Sequence, residues 1–415
     1  MRMLSGRGAE AFLRKLEKRG AEGLAKVERT VRRIVNDVRK NGDRALRRYA
    51  EKWDELAAKQ TLRVSQAELQ HAWDGAGNDF RHALKVAAAN IRQYCEWQKP
   101  QEWRKSALPG IELGQILRPL RSVGCYVPGG RYPLPSTLLM TVIPAQVAGV
   151  GEIRVVSPRP ARETLAAAFL LRVREFYCVG GAHAIAALAY GTGSVPRVDK
   201  IVGPGNLFVT AAKKLVAFDC SIDFLAGPTE VIVMSDRGNP KFIAADLVAQ
   251  AEHDVDTWAV FVTTSRKLAA AVAEEVTAFS LGNKTAHASL ARNGAILIAE
   301  SREQAFEFAN RIAPEHITVD EGDAPMVNHA GSIFVGDYSA QAAGDYSSGP
   351  NHVLPTGGAA RFRGGLGVGD FMKAISIQHL SRQGLGRIAP AVVTLAEAEG
   401  LLAHAESVRA RCTRA

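Results

Sequence analysis

Apolar positions over the first ~90 residues recur at helical spacing, as in Val27, Val31, Ile34, Val35 and Val38. This predicts amphipathic helices, with Asn41-Gly42 as punctuation between them. From Val123 the pattern changes to short apolar runs separated by longer amphipathic stretches. Strands are predicted at Val123 to Val127, Ile153 to Ser157, Phe176 to Val179 and Lys200 to Val202. A second alternating series starts after Gly227-Pro228. Its predicted strands are Val231 to Met234, Ala259 to Thr263, Ala295 to Ala299 and Ser332 to Val335, and its helices lie at Pro240 to His253, Ser265 to Ala278 and Arg302 to Ile312.

Strand and helix in strict alternation specify parallel sheets covered on both faces. Because the alternation restarts, the expected fold is α/β with two doubly wound, Rossmann-like parallel-sheet domains and helical N- and C-terminal extensions. The expected division is an extension over 1–22, one α/β domain from 23–122 and 231–367, a second inserted as 123–230, and a helical tail over 368–415. The stretch from Gly344 to Asp370 is dense in Gly, Pro, Asn and Ser, and reads as an active-site loop. Gly365-Leu-Gly-Val-Gly-Asp370 reads as a loose join to the tail.

Composition narrows the class. Over 415 residues, 47% apolar and 23% charged, the chain is that of an ordinary globular protein with more than one core. Its richest apolar run, Leu165 to Leu171, is far shorter than the ~20 residues of a membrane span, and the N-terminus lacks a signal peptide's apolar core. Five cysteines, odd in number and far apart, argue against a disulfide framework or thiolate metal site; a reducing cytoplasm is expected. Of the net charge of +10, the segment Met1 to Glu55 supplies +7, from 16 Lys or Arg against 9 Asp or Glu. Charges of alternating sign on predicted helices mark a solvated face, so neither a nucleic-acid nor a membrane partner is expected.

Three glycine-bearing turns follow predicted strands: Pro128-Gly129-Gly130, Gly180-Gly181-Ala182 and Gly203-Pro204-Gly205-Asn206. Such turns let a phosphate approach backbone amides at a helix start, although none is the full dinucleotide fingerprint and ordinary turns look the same. Gln250 and His253, three apart near a helix end, project from one face and suit one metal ion. Pro314-Glu315-His316 pairs a carboxylate with an imidazole, as general acid/base chemistry needs, or as a helix-end charge pair does. Asp345, Asn351 and His352 offer an oxygen ligand and an imidazole on the irregular stretch, or stabilise its turns.

Taken in order, several strings resemble the histidinol dehydrogenase family: Tyr126-Val-Pro-Gly-Gly130, Gly180-Gly-Ala-His-Ala-Ile-Ala-Ala-Leu-Ala-Tyr-Gly191, Val198-Asp-Lys-Ile-Val-Gly-Pro-Gly-Asn206, Ala226-Gly-Pro-Thr-Glu230, Gln250-Ala-Glu-His253, Ala313-Pro-Glu-His316, Ala343-Gly-Asp-Tyr346 and Gly349-Pro-Asn-His-Val-Leu-Pro-Thr356. The resemblance is collinear from about Ala21 to the C-terminus. It implies zinc held by Gln250, His253, Asp345 and, in the tail, His404, nitrogen and oxygen ligands with open positions. It implies Glu315 and His316 as the catalytic pair, and Tyr126, His183 and Asn206 as NAD contacts. Thr229, His352 and Glu399 would join Gln250, His253, His316, Asp345 and His404 around the substrate.

The reaction so implied is a two-step, NAD-dependent oxidation of L-histidinol through histidinal to L-histidine, in histidine biosynthesis. The tail would dock on the partner of a homodimer and complete its zinc site. The sequence departs from the family's usual pattern at His183, where Gln is usual, and at Thr229, where Ser is usual. The rival readings are a paralogous dehydrogenase of another polar alcohol such as a sulfonated diol, a zinc hydrolase using Glu315, and a nucleic-acid-binding protein using the basic N-terminal helices.

Overall fold

The computed structural model describes residues 1–19, 23–57, 59–129 and 132–412; Gly130 of the first glycine turn lies outside them. The chain opens with a strand, β1 (Arg2–Ser5), and helix α1 (Gly6–Glu17). Helices α2 (Leu24–Asn41) and α3 (Asp43–Trp53), a two-residue strand β2 (Arg63–Val64), and helices α4 (Gln66–Asp74) and α5 (Asn78–Gln98) follow. A hairpin of β3 (Trp103–Leu108) and β4 (Ile111–Pro119) leads to the first alternating series. That series runs β5 (Ser122–Tyr126), α6 (Pro135–Ala148), β6 (Glu152–Val156), α7 (Arg162–Leu170), β7 (Glu175–Tyr177), α8 (Gly181–Tyr190), β8 (Lys200–Val202), α9 (Leu207–Val216) and β9 (Ser221–Ile222).

The second series comprises β10 (Glu230–Met234), α10 (Pro240–Ala251), β11 (Trp258–Thr263), α11 (Arg266–Phe279), α12 (Lys284–Asn293), β12 (Ala295–Ile298), α13 (Arg302–Ile312), β13 (His316–Val319) and β14 (Ser332–Val335). A short helix α14 (Gln341–Tyr346), strand β15 (Met372–Leu380) and helices α15 (Arg382–Ala398) and α16 (Leu402–Cys412) complete the described chain.

Among the described residues the two series form two six-stranded sheets, ordered β2-β7-β6-β5-β8-β9 and β1-β12-β11-β10-β13-β14. Within them only β2 runs antiparallel to its neighbour. The expected α/β class with two doubly wound, parallel sheets is the observed one. Both sheets change winding direction next to their first central strand, between β5 and β8 and between β10 and β13. No described helix is long and apolar enough to cross a membrane.

The expected domain division needs correction. The N-terminal segment is no separate extension, because β1 pairs in register with β12. Ala9, Phe12, Leu13 and Leu16 of α1 are buried in the core of the second sheet with Phe306, Phe308 and Ile312. Helices α2 to α5, assigned by sequence to that same domain, belong instead to the first sheet. The α2 stripe Val31, Ile34, Val35 and Val38 packs on Ile185 and Val209. Leu69, Leu84 and Ile91 pack with Leu138 and Phe176, and β2 pairs with β7. Helical periodicity exposes an apolar face but not the sheet it covers.

The Gly344 to Asp370 stretch is irregular as expected, yet no loose loop. Val353, Leu366, Val368 and Phe371 are buried in the first sheet's core, and Asp370 accepts the Gly367 amide at 2.9 Å. The join to the tail is therefore packed. The tail itself is not wholly helical, since β15 joins β4 and β3 in an antiparallel three-stranded sheet. Helices α15 and α16 bury few side chains and leave Leu395 and Leu402 64% and 63% exposed.

Because α1 completes the second core, Leu13→Ala should act as a core truncation and cost about 2–5 kcal/mol. A shift of the unfolding midpoint by denaturation checks this. An unchanged midpoint would restore α1 as a mere extension.

Candidate active site

The first sheet contributes the carboxyl ends of its strands. Tyr126 ends β5 and Gly203 follows β8, so the crevice lies at the winding change, where open α/β sheets bind ligands. Gly203 has φ +112, and a Cβ there would collide with the Tyr126 carbonyl oxygen. Only glycine allows that approach. The turns are braced by buried carboxylates: Asp54 accepts the Gly180 amide at 2.9 Å, and Asp223 accepts the Gly203 amide at 2.7 Å while pairing with the buried Lys213. Those two amides are thus engaged within the protein.

The second sheet contributes the opposite edge. Thr229 precedes β10, Glu315 precedes β13 and His316 opens it. Helix α10 runs back across the sheet, so its C-terminal end brings Gln250 and then His253 to the same edge. Asp345 on α14 closes the side. Thr229, Gln250, His253, Glu315, His316, Asp345 and His352 line one cleft of about 200 Å³, whose far wall includes Pro204 and Gly205 of the first sheet. The cleft thus joins the switch-point turn to the acid/base residues.

Glu315 is buried, and its Oε2 accepts the Glu230 amide at 3.0 Å and the Thr229 hydroxyl. Desolvation dominates these bonds and pushes its carboxyl up to about 7. His316 is also buried, and its Nδ1 lies 3.2 Å from the Glu230 carbonyl oxygen. A carbonyl only accepts, so Nδ1 carries the proton and Nε2 of the neutral ring is the free base. Burial alone lowers an imidazole's pKa, but the Glu315 carboxylate and Asp345 outweigh it and hold His316 above its usual value. Asp345, 3.7 Å from that Nε2, stays below the usual carboxylate range because His316 outweighs its desolvation.

His352 is pinned at both nitrogens, by the Asp345 carbonyl at 2.7 Å and the Thr137 hydroxyl at 3.3 Å. Burial keeps it low and neutral. A chain of hydrogen bonds backs the cleft: Gln341 donates to Gln250 at 2.5 Å, Gln250 to Thr229, and Thr229 to Glu315. Thr137 and Gln341 carry no sequence signal of their own. Each reveals itself only through a partner distant in the chain.

Three expected site residues lie elsewhere. His183 is inside α8, 1% exposed, donating through Nε2 to Asp54 at 2.7 Å. It braces the glycine turn from behind rather than facing the cleft. Glu399 and His404 are exposed on the tail, outside the cleft lining. Tyr126 is buried and its hydroxyl oxygen accepts the Gly181 amide at 3.1 Å. Asn206 caps α9 through the Phe208 and Val209 amides and is exposed.

Comparison with known proteins decides the family. A family profile described as histidinol dehydrogenase matches residues 17–412. The chain belongs to the histidinol dehydrogenase family. It is 46% identical to the histidinol dehydrogenase of Methanosarcina mazei, over 97% of this chain and 96% of that one. It is 45% identical to that of Geobacter sulfurreducens, over 95% of each. The solved histidinol dehydrogenase of Elizabethkingia anophelis superposes with a TM-score of 0.93 at 33% identity, covering 99% of this chain and 98% of that one. As a member of this family, the protein is an oxidoreductase.

The close approach at Gly203 yields a test. Gly203→Ala forces both a disfavoured φ and a clash with backbone, so it should lower stability by about 2–5 kcal/mol, combining conformational and overpacking costs. Thermal unfolding measures this, and a wild-type midpoint would contradict the turn geometry.

Proposed function

We propose that this protein oxidises L-histidinol to L-histidine through histidinal, using NAD and zinc, in histidine biosynthesis. The observation that carries the reading is the pair at the cleft floor. The bond to the Glu230 carbonyl leaves His316 Nε2 as a base directed away from Nδ1 and toward Asp345, beside a carboxyl pushed up to about 7. The family and the names of its relatives supply the substrate; no observation favours another alcohol, a hydrolase or a nucleic-acid partner.

The residues fit both groups. For zinc, Gln250, His253 and Asp345 line one cleft at the C-terminal end of α10, where the helix dipole favours a cation. Among the described residues no three His, Cys, Asp or Glu side chains are grouped closely enough to hold a metal; in the proposed dimer His404 of a second copy completes the set. Zinc, when bound, supplies a Lewis acid that orients the substrate's imidazole and amine. For NAD, the crevice at the β5/β8 winding change opens into the cleft, with Tyr126 and Asn206 beside it. NAD, when bound there, supplies the hydride acceptor for both oxidations.

His316 takes the hydroxyl proton at Nε2 as the alcohol is oxidised. Glu315, once ionised, takes a proton from the water that hydrates the aldehyde, and Thr229 and the Glu230 amide stabilise the carboxylate while it waits. Both bases have raised pKa values. The Glu315 base form therefore accumulates as pH rises through about 7, that of His316 accumulates above the ordinary imidazole range, and turnover rises with them.

Glu315→Gln should slow oxidation of histidinal by roughly 10²–10⁴-fold and oxidation of histidinol much less, because only the second half needs an activated water. Separate assays with the two substrates measure the difference. Equal loss in both halves, in folded protein, would reject the division of roles.

The exposed apolar surface of α15 and α16 supports docking of the tail on a partner subunit in a homodimer. Refolding His404→Asn and Glu315→Gln together should then restore activity: half the dimers are mixed, each with one intact site, giving about one quarter of the wild-type rate. No recovery in a mixture shown to contain heterodimers would leave His404 outside the shared site.

A further inference from the structure

Behind the acid/base pair, outside the cleft, lies a buried ion pair. Arg19, just past α1, donates from Nε to Glu230 Oε1 at 2.5 Å and from Nη2 to Glu230 Oε2 at 2.7 Å. The two side chains are 5% and 3% exposed. Two further guanidinium bonds reach main-chain carbonyls, Leu16 at the end of α1 and Ile312 at the end of α13, each at 2.7 Å. The Gly357 amide also donates to Glu230 Oε1, at 2.8 Å.

This pair is bonded to the catalytic groups through backbone, while the Glu230 carboxylate also raises the Glu315 carboxyl by its charge. The Glu230 amide donates to Glu315, and the Glu230 carbonyl receives His316 Nδ1. Ile312, on the other side of Arg19, stands three residues before Glu315. Between them Ala313 turns the chain in the left-handed region, φ 49 and ψ 65. Arg19 therefore grips both segments whose separation sets the distance between the Glu315 carboxylate, the His316 ring and the substrate. A planar fork suits this role, since it bridges both carboxylate oxygens and a carbonyl in one plane, which a lysine's point charge does not.

We propose that Arg19 and Glu230 are positioning residues for the acid/base pair, a strut that fixes Glu315 and His316 relative to each other from behind. The inference rests on the reading of those two residues as the catalytic pair. Unlike Glu315, which serves the second oxidation, the strut serves both halves, because it holds His316 as well.

The test compares Arg19→Met, Arg19→Lys and Glu230→Gln with wild type on histidinol and on histidinal, using folded protein with its zinc content measured. Displacement of a catalytic group by a fraction of an ångström to 1 Å costs up to about 100-fold. Arg19→Met and Glu230→Gln should thus lower kcat roughly 10- to 100-fold in both halves while leaving zinc content and the KM values for NAD and substrate near wild type. Arg19→Lys should fall between, keeping the charge but losing the fork. If Arg19→Met fails to fold, the lysine variant decides. Wild-type kcat with only a lowered melting temperature would show a purely structural pair and overturn the proposal, as would a loss confined to KM or to one half-reaction. Glu315→Gln and His316→Gln serve as controls. If both retain wild-type activity, the catalytic reading itself fails and the strut has nothing to position; if they lose activity while the Arg19 and Glu230 variants do not, the strut alone is refuted.

Discussion

The structure turns on a carboxylate buried against an imidazole. Glu315 is buried just before β13, and its ionised form is stabilised by one hydroxyl, one amide and the neighbouring ring. The folded protein holds the proton more tightly than the unfolded chain, since its carboxyl is pushed up to about 7. Stability is therefore lost as pH rises from the ordinary carboxylate range through 7, and at higher pH the cost is roughly 3 kcal/mol for this group alone. The rest of the site offsets that cost or exploits it. His316 lies 3.7 Å from the Glu315 carboxylate, Asp345 steadies His316, and His352 is locked neutral by bonds at both nitrogens.

The two sheets have similar architecture but present opposite edges to the cleft. The first uses the carboxyl ends of β5 and β8, where short turns and helix starts form a crevice. The second uses the amino ends of β10 and β13, where Thr229, Glu230, Glu315 and His316 cluster, and the C-terminal end of α10, where a cation is favoured. On the proposed function, the hydride acceptor would reach the substrate from the first sheet and the proton acceptor from the second. The carboxylates Asp54 and Asp223 brace the glycine turns at the expense of two turn amides, so those turns serve geometry more than anion binding.

Much of this was legible in the chain. Strands of four to six apolar residues such as Val231 to Met234 stand out, and so does the helical recurrence of Val27, Val31, Ile34, Val35 and Val38 on α2. Local spacing also brings Gln250 and His253 together, and Glu315 with His316. What escaped was non-local. Strand β1 has only four residues, one polar and one charged, and becomes a strand because β12 offers an open edge. Strand β13 hides behind Pro314, since its first residue is a histidine that reads as a helix end. His183, expected at the cofactor, turns inward to Asp54, 129 positions away, and Arg19 finds Glu230 across 211. Pairings of that kind leave no periodicity or motif. The antiparallel sheet of β3, β4 and β15 is largely exposed in one chain, so its apolar positions carry no core signal, and Glu399 and His404 stay away from the cleft of their own chain.

Burial holds Glu315 protonated into the neutral range, and the proposed role as a base rests on its ionising there. Isotope-edited infrared titration, taken as the difference between wild type and Glu315→Gln, reads this carboxyl directly. The protonated-carboxyl band assigned to Glu315 should persist through pH 5 and 6 and disappear around 7, the value to which burial pushes it. A band already lost by about pH 5, as for an ordinary solvated carboxyl, would contradict that central claim.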